Sequence, residues 1–153
     1  MIPVNLPPVL VLDTNVCLDL FVFQDPRWAQ LLRALEQGRV QAVTRHDCRM
    51  EWLVVLGYRQ LKLDEERRAT CSAAFDALIR CDDFPNTSGI NLPRCSDGDD
   101  QKFLEVARDA KAAVLISKDK AVLKLARKTA QAGLFKILTP QAWVAAQEVS
   151  TQP

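Results

Sequence analysis

Acidic residues fall at four places along this chain where an α/β fold would turn them toward one another. Asp13 follows the apolar run Val9-Leu10-Val11-Leu12, and Asp119 follows Ala113-Val114-Leu115-Ile116 after Ser117 and Lys118. Glu51 interrupts the apolar stretch from Met50 to Val55, and Asp97, Asp99 and Asp100 open a segment carrying Phe103, Leu104 and Ala107. Ligands of open α/β sheets bind outside the carboxyl ends of the strands, so all four segments would aim carboxylates at one sheet edge. Crowded carboxylates repel and raise one another's pKa values. A divalent cation removes that conflict, and oxygen-only donors favour Mg²⁺ or Mn²⁺. Such ions acidify a water and neutralise charge on a phosphate oxygen; two together clamp the attacking and leaving oxygens of an in-line displacement. Taken singly, each acid also has a plainer reading. Asp13 and Asp119 read as helix caps, Asp97, Asp99 and Asp100 as first-turn residues suited to the helix dipole, and Glu51 as an edge-of-core residue with its head in water. Buried and unpaired, Glu51 would be costly without a partner or a metal.

The elements that must position these acids alternate. Val9–Leu12 and Ala113–Ile116 read as strands buried on both faces. Asp25-Pro26 starts a helix with Trp28, Leu31, Leu32 and Leu35 inward and Gly38 closing it. Val40–Val43 and Phe135–Leu138 read as short strands. Helices are expected over Asp47–Leu56, over Asp64–Ile79 with a Cys71, Phe75, Leu78 stripe, over Asp99–Ala110, over Asp119–Ala130 with Val122, Leu123 and Ala126 inward, and from Thr139-Pro140 through Trp143 and Val144. Alternating β and α elements imply a parallel sheet covered by helices. The segment from Asp83 to Ser96, with Pro85, Asn86, Ser88, Gly89 and Pro93, reads as a long loop, a feature often functional or mobile.

Length and composition set the outer bounds. The 153 residues, 48% hydrophobic and 25% charged, suit one ordinary globular domain. A chain of this size buries about two-thirds of its unfolded surface and needs no disulfide or metal to fold. The net charge of +1 excludes a globally basic nucleic-acid coat and an acidic disordered tail. Five cysteines without a CxxC pair point to reduced, mostly buried thiols and a cytoplasmic location. No apolar run approaches membrane-spanning length, and Met1–Asn5 does not read as a signal peptide. No phosphate-binding GxxxxGK[ST] or GxGxxG segment is present. His46 is the sole histidine and reads as a surface or helix-start residue, with no nucleophile motif beside it. Lys118, Lys120, Lys124, Arg127 and Lys128 form a local basic cluster, the last four on one stripe of a helix. This is either a solvated face or a backbone track for RNA; Arg45 and Arg49 could join it or pair with acids.

The order Leu12-Asp13-Thr14-Asn15-Val16, then Glu51 in a helix, then Asp97-Gly98-Asp99-Asp100-Gln101-Lys102-Phe103-Leu104-Glu105-Val106-Ala107, then Leu115-Ile116-Ser117-Lys118-Asp119, resembles the PIN-domain ribonucleases. It looks most like the VapC-like branch, the toxin components of toxin–antitoxin systems. The resemblance runs from about Val9 to about Ala145, a core within a single domain spanning 1–153. It implies a three-layer α/β/α fold around a parallel sheet of about five strands and an acidic Mg²⁺ or Mn²⁺ site. Asp13, Glu51, Asp100 and Asp119 match the family's four acidic positions, and Asp97 an additional acid of this branch. Asp13, Asp97, Asp100 and Asp119 would be the metal ligands. Thr14, Asn15 and Ser117 match small polar positions that would orient carboxylates or a water, though turn and cap chemistry explains them equally. The branch often has Pro at Gly98 and Thr at Ser117. Asp99 and Asp100 are adjacent, and Asp100, three residues before Phe103, is the preferred match.

The resemblance implies a metal-dependent endoribonuclease acting on single-stranded RNA by in-line attack of water, leaving a 5′-phosphate and a 3′-hydroxyl. It also implies an antitoxin protein covering the cleft and, in some members, a homodimer. Two rival readings stand beside it. One is a PIN-fold protein that binds RNA or an antitoxin with little or no catalysis. The other is a phosphatase of the haloacid-dehalogenase type, against which Asn15 stands where a second acid is needed.

Overall fold

A computed structural model describes residues 6–151, and side chains through residue 148; the Met1–Asn5 segment weighed above as a leader lies outside it. Five short strands, β1 (Val9–Leu12), β2 (Gln41–Thr44), β3 (Ile79–Cys81), β4 (Val114–Ile116) and β5 (Lys136–Leu138), form one sheet in the order β3-β2-β1-β4-β5. Every pairing is parallel. Among the described residues seven α-helices lie between strands, α1 (Thr14–Phe21), α2 (Ala29–Glu36), α3 (His46–Leu56), α4 (Glu65–Leu78), α5 (Gln101–Asp109), α6 (Lys120–Leu123) and α7 (Ala126–Gln131), and α8 (Pro140–Thr151) follows β5. This is the α/β/α architecture with a five-stranded parallel sheet that the resemblance implied, and the parallel sheet covered by helices that the alternating elements predicted.

Strand alternation divides the core. Leu10 and Leu12 of β1 point into a cluster with α1, α2, α4 and α8, where Val16, Leu20, Leu31, Phe75 and Trp143 pack. Val11 points the other way, against Phe103, Leu104 and Val106 of α5 and Val122 of α6. Helix α3 serves both clusters, giving Cys48 to the second and Trp52 and Leu56 to the first. Trp52 stacks on Phe75 with ring centroids 5.0 Å apart and meets Phe21 edge-on at 6.1 Å.

Two expectations need correcting. The helix expected over Asp64–Ile79 stops at Leu78, because Ile79 turns to extended backbone (φ −121°, ψ 115°) and pairs with Ala42 as the start of edge strand β3. The helix expected over Asp119–Ala130 is two helices. At their junction the Leu125 amide bonds to the Val122 carbonyl at 3.0 Å, a tighter i→i−3 step. The loop is as expected: residues 82–97 carry no helix or strand. His46 is the exposed first residue of α3. All five cysteines are free thiols, Cys81 exposed and the rest buried.

Candidate metal centre

The strand order reverses direction at β1, between β2 and β4, which opens the crevice where doubly wound sheets bind ligands. Asp13 leaves β1 at that point, and its amide bonds to the Ile116 carbonyl of β4 at 2.9 Å. Its side chain is buried, 3% exposed, and caps α1 by accepting the Thr14 amide at 2.7 Å. The cap reading of Asp13 is therefore correct as geometry, and the cap uses Oδ1, leaving Oδ2 for a second partner. Ser117, fully buried after β4, donates its hydroxyl to that oxygen at 2.6 Å and accepts the Asp119 amide at 3.0 Å. Asp119 in turn caps α6 through the Ala121 amide at 2.8 Å. Asn15 accepts the Lys118 amide at 3.2 Å, tying the β4–α6 turn to α1.

Asp97, Asp100 and Asp119 converge so that one carboxylate oxygen from each lies within 4.8 Å of the others. Asp97 caps the turn that delivers Asp100, accepting the Asp99 amide at 3.1 Å. Asp100 is buried at the mouth of α5, whereas Asp99 faces solvent. Gln101 pins the end of the long loop, accepting the Cys95 amide at 2.7 Å and donating to the Pro93 carbonyl at 3.1 Å.

Electrostatics mark the same two aspartates. Burial pushes the Asp100 carboxyl up to about 8, helped by Asp119 close enough to share a proton and by the charges of Asp13 and Asp97. Burial pushes Asp13 up to about 6, with Glu51 and Asp119 adding repulsion while Ser117 and the Thr14 amide hold it down. Asp100 Oδ2 is buried and has no hydrogen-bond partner among the described residues. An acceptor left bare beside two further carboxylates suits a bound cation. The all-oxygen donor set of Asp97, Asp100 and Asp119, with Asp13 alongside, fits Mg²⁺ or Mn²⁺.

Glu51 stands apart from that trio. Its Oε2 takes the Thr14 hydroxyl in a short hydrogen bond, and its Oε1 takes the Lys102 ammonium at 3.0 Å. Lys102 also donates to the Asp99 carbonyl at 2.6 Å. The sequence offered Lys102 only as part of a motif, and nothing in the spacing of residues 51 and 102 announces the pair. Asp19 was likewise missed: 6% exposed, it accepts the Trp28 indole N–H at 3.1 Å and the Lys118 ammonium at 2.8 Å. Its only sequence signal was an acid on the inward side of an apolar helix.

The basic cluster is distributed differently from the expectation. Lys118 is engaged by Asp19, and the others are exposed but split up: Lys120 opens α6, Lys124 follows its end, and Arg127 and Lys128 lie on α7. Arg45 pairs with Asp47 and Glu105, and Arg49 with Asp76, so neither extends the stripe.

The model of a family described as PIN domain matches residues 9–121. Among solved structures the chain is similar to the crystal structure of VapBC2 from Rickettsia felis bound to a DNA fragment from their promoter, with a TM-score of 0.56 at 12% identity. The match covers 84% of this chain and 96% of that one, and at such identity it bears on the fold alone. No curated protein matches the chain. The family match runs from β1 into α6 and includes every acid of the crevice, and on it the chain belongs to the PIN domain family.

Proposed function

We propose that this protein is a metal-dependent endoribonuclease cleaving single-stranded RNA, and the toxin of a toxin–antitoxin pair. The observation that carries the catalytic part is the acid crevice at the strand-order reversal, where Asp100 Oδ2 is buried without a partner beside Asp97 and Asp119. Asp97, Asp100 and Asp119 would hold a divalent cation, with Asp13 presenting its Ser117-bound oxygen next to them. When bound, Mg²⁺ or Mn²⁺ supplies charge neutralisation at the phosphate and acidification of a water. The chain's own part is to keep the acids aligned: Ser117 and the Thr14 amide fix Asp13, the Ala121 amide fixes Asp119, and Asp97 and Gln101 set the turn bearing Asp100. Asn15 holds the turn before Asp119. Lys120, Lys124, Arg127 and Lys128 are the exposed cations that suit an RNA backbone.

A protein partner is supported by exposed apolar side chains on α3. Met50 and Val54 lie one turn apart, 43% and 58% exposed, with Tyr58 just past the helix end. The structural neighbour, VapBC2, was crystallised on a DNA fragment from its promoter, and together with the resemblance to VapC-like toxins this supports an antitoxin partner here. The family assignment leaves the phosphatase alternative without support. The test is cleavage of single-stranded RNA with Mn²⁺ or Mg²⁺. Wild-type protein is expected to cut, EDTA to stop it, and Asp13→Asn or Asp100→Asn to reduce the rate by about a thousandfold. RNA or antitoxin binding without any metal-dependent cleavage by the wild type would favour the binding-only alternative.

A further inference from the structure

The Glu51–Lys102 pair has a chemistry of its own. Both carboxylate oxygens of Glu51 are occupied, one by the Thr14 hydroxyl and one by the Lys102 ammonium. Among the described residues, the acids whose oxygens converge are Asp97, Asp100 and Asp119, without Glu51. Lys102 sits in the first turn of α5, the end of a helix where a cation is disfavoured by the backbone dipole. The Asp99 carbonyl and Glu51 hold it there, two residues beyond Asp100, with 19% of its side chain exposed. An ammonium has three donors. Two are committed to these acceptors, and the third has no oxygen acceptor among the described residues, where the ammonium lies 5.4 Å from the centre of the Phe103 ring.

We propose that Lys102 contacts a phosphate of the RNA substrate and that Glu51 acts as its bracket, a positioning residue and not a metal ligand. The inference rests on the ribonuclease reading and adds a residue to it. Thr14 anchors Glu51 and Glu51 anchors the ammonium, so a flexible lysine side chain is ordered before RNA arrives. The anchoring also keeps one cation beside a group of acids that would otherwise repel the polyanion.

The test uses the full-length protein and a labelled single-stranded RNA oligonucleotide in Ca²⁺, which accepts the same oxygen donors, with intact RNA verified on a gel. Binding is measured against salt concentration, and Mn²⁺ binding is measured separately by electron paramagnetic resonance. Lys102→Met is expected to weaken RNA binding roughly tenfold and to reduce the slope of log K against log salt by about 0.7, the loss of one single-strand phosphate contact. Lys102→Arg is expected to restore most of both. Glu51→Gln is expected to keep Mn²⁺ affinity within about threefold, whereas Asp100→Asn loses about tenfold or more. An unchanged salt slope in Lys102→Met overturns the phosphate contact, and loss of Mn²⁺ binding in Glu51→Gln overturns the bracket. Failure of the wild type to bind RNA sinks the ribonuclease reading itself, and the Mn²⁺ comparison then still judges Glu51.

Discussion

At the scale of single residues, the crevice is built against its own stability. The Asp13 and Asp100 carboxyls are raised to about 6 and about 8. Both values lie above the ordinary carboxylate value, so these groups favour the folded state most at acid pH. That contribution is lost as pH rises through the two folded-state values. The metal-free protein should therefore melt at progressively lower temperature between about pH 4 and pH 8. Adding Mn²⁺ near pH 7 should release protons, read with an indicator dye in weak buffer, because the cation displaces the proton that Asp100 carries. Ser117 holds Asp13 and the Asp119 amide together from a fully buried position. Ser117→Ala should cost about 1–3 kcal/mol in denaturant unfolding and about 10- to 100-fold in Mn²⁺ affinity. A metal affinity equal to wild type in that variant would deny Ser117 its aligning role.

At the scale of elements, α3 couples the core to the crevice. Trp52 is 1% exposed between Phe21 and Phe75, and the preceding residue is Glu51, so packing of the indole sets where the carboxylate stands. Trp52→Ala should destabilise by about 3–5 kcal/mol in chemical denaturation. The indole N–H is buried without a partner among the described residues. Trp52→Phe removes that orphan donor along with some volume, and should cost under about 2 kcal/mol. Strand β3 was hidden in the sequence because Cys71, Phe75 and Ile79 keep a four-residue period, so Ile79 continues the stripe of α4 as well as it begins a strand. Its parallel pairing with Ala42, which no local pattern encodes, decides between them. The division between α6 and α7 was equally illegible, since Lys124 and Leu125 keep right-handed helical backbone and only the hydrogen-bond step shortens.

Over the whole molecule, the net charge of +1 conceals a separation. Acids gather at the carboxyl edge of the sheet, and Lys120, Lys124, Arg127 and Lys128 begin on the helix directly after Asp119. A bound divalent cation would shift the balance at the crevice toward positive, which favours a polyanionic substrate. The exposed Met50 and Val54 lie on the same helix as Glu51, so a partner seated there would approach the crevice. Val54→Glu should leave the melting temperature nearly unchanged, within about 0.5 kcal/mol. It should abolish co-purification with the product of a small reading frame directly upstream, if that product is the antitoxin; undiminished co-purification would remove α3 from the interface.

What the sequence determined by itself was the placement of Asp13 and Asp119. Each follows a strand buried on both faces, and parallel alternation puts such strand ends at one edge. The tertiary structure alone decided which acids meet. Asp97, Asp100 and Asp119 converge, while Asp13 is claimed by Ser117, 104 residues away, and Glu51 by Thr14 and Lys102, 37 and 51 residues away. Periodicity reports which face of an element a residue occupies, and it carries no information on which donor from a distant element will reach that face. Partners so far apart in sequence are set by the sheet order and the packing of α1, α3 and α5 across it.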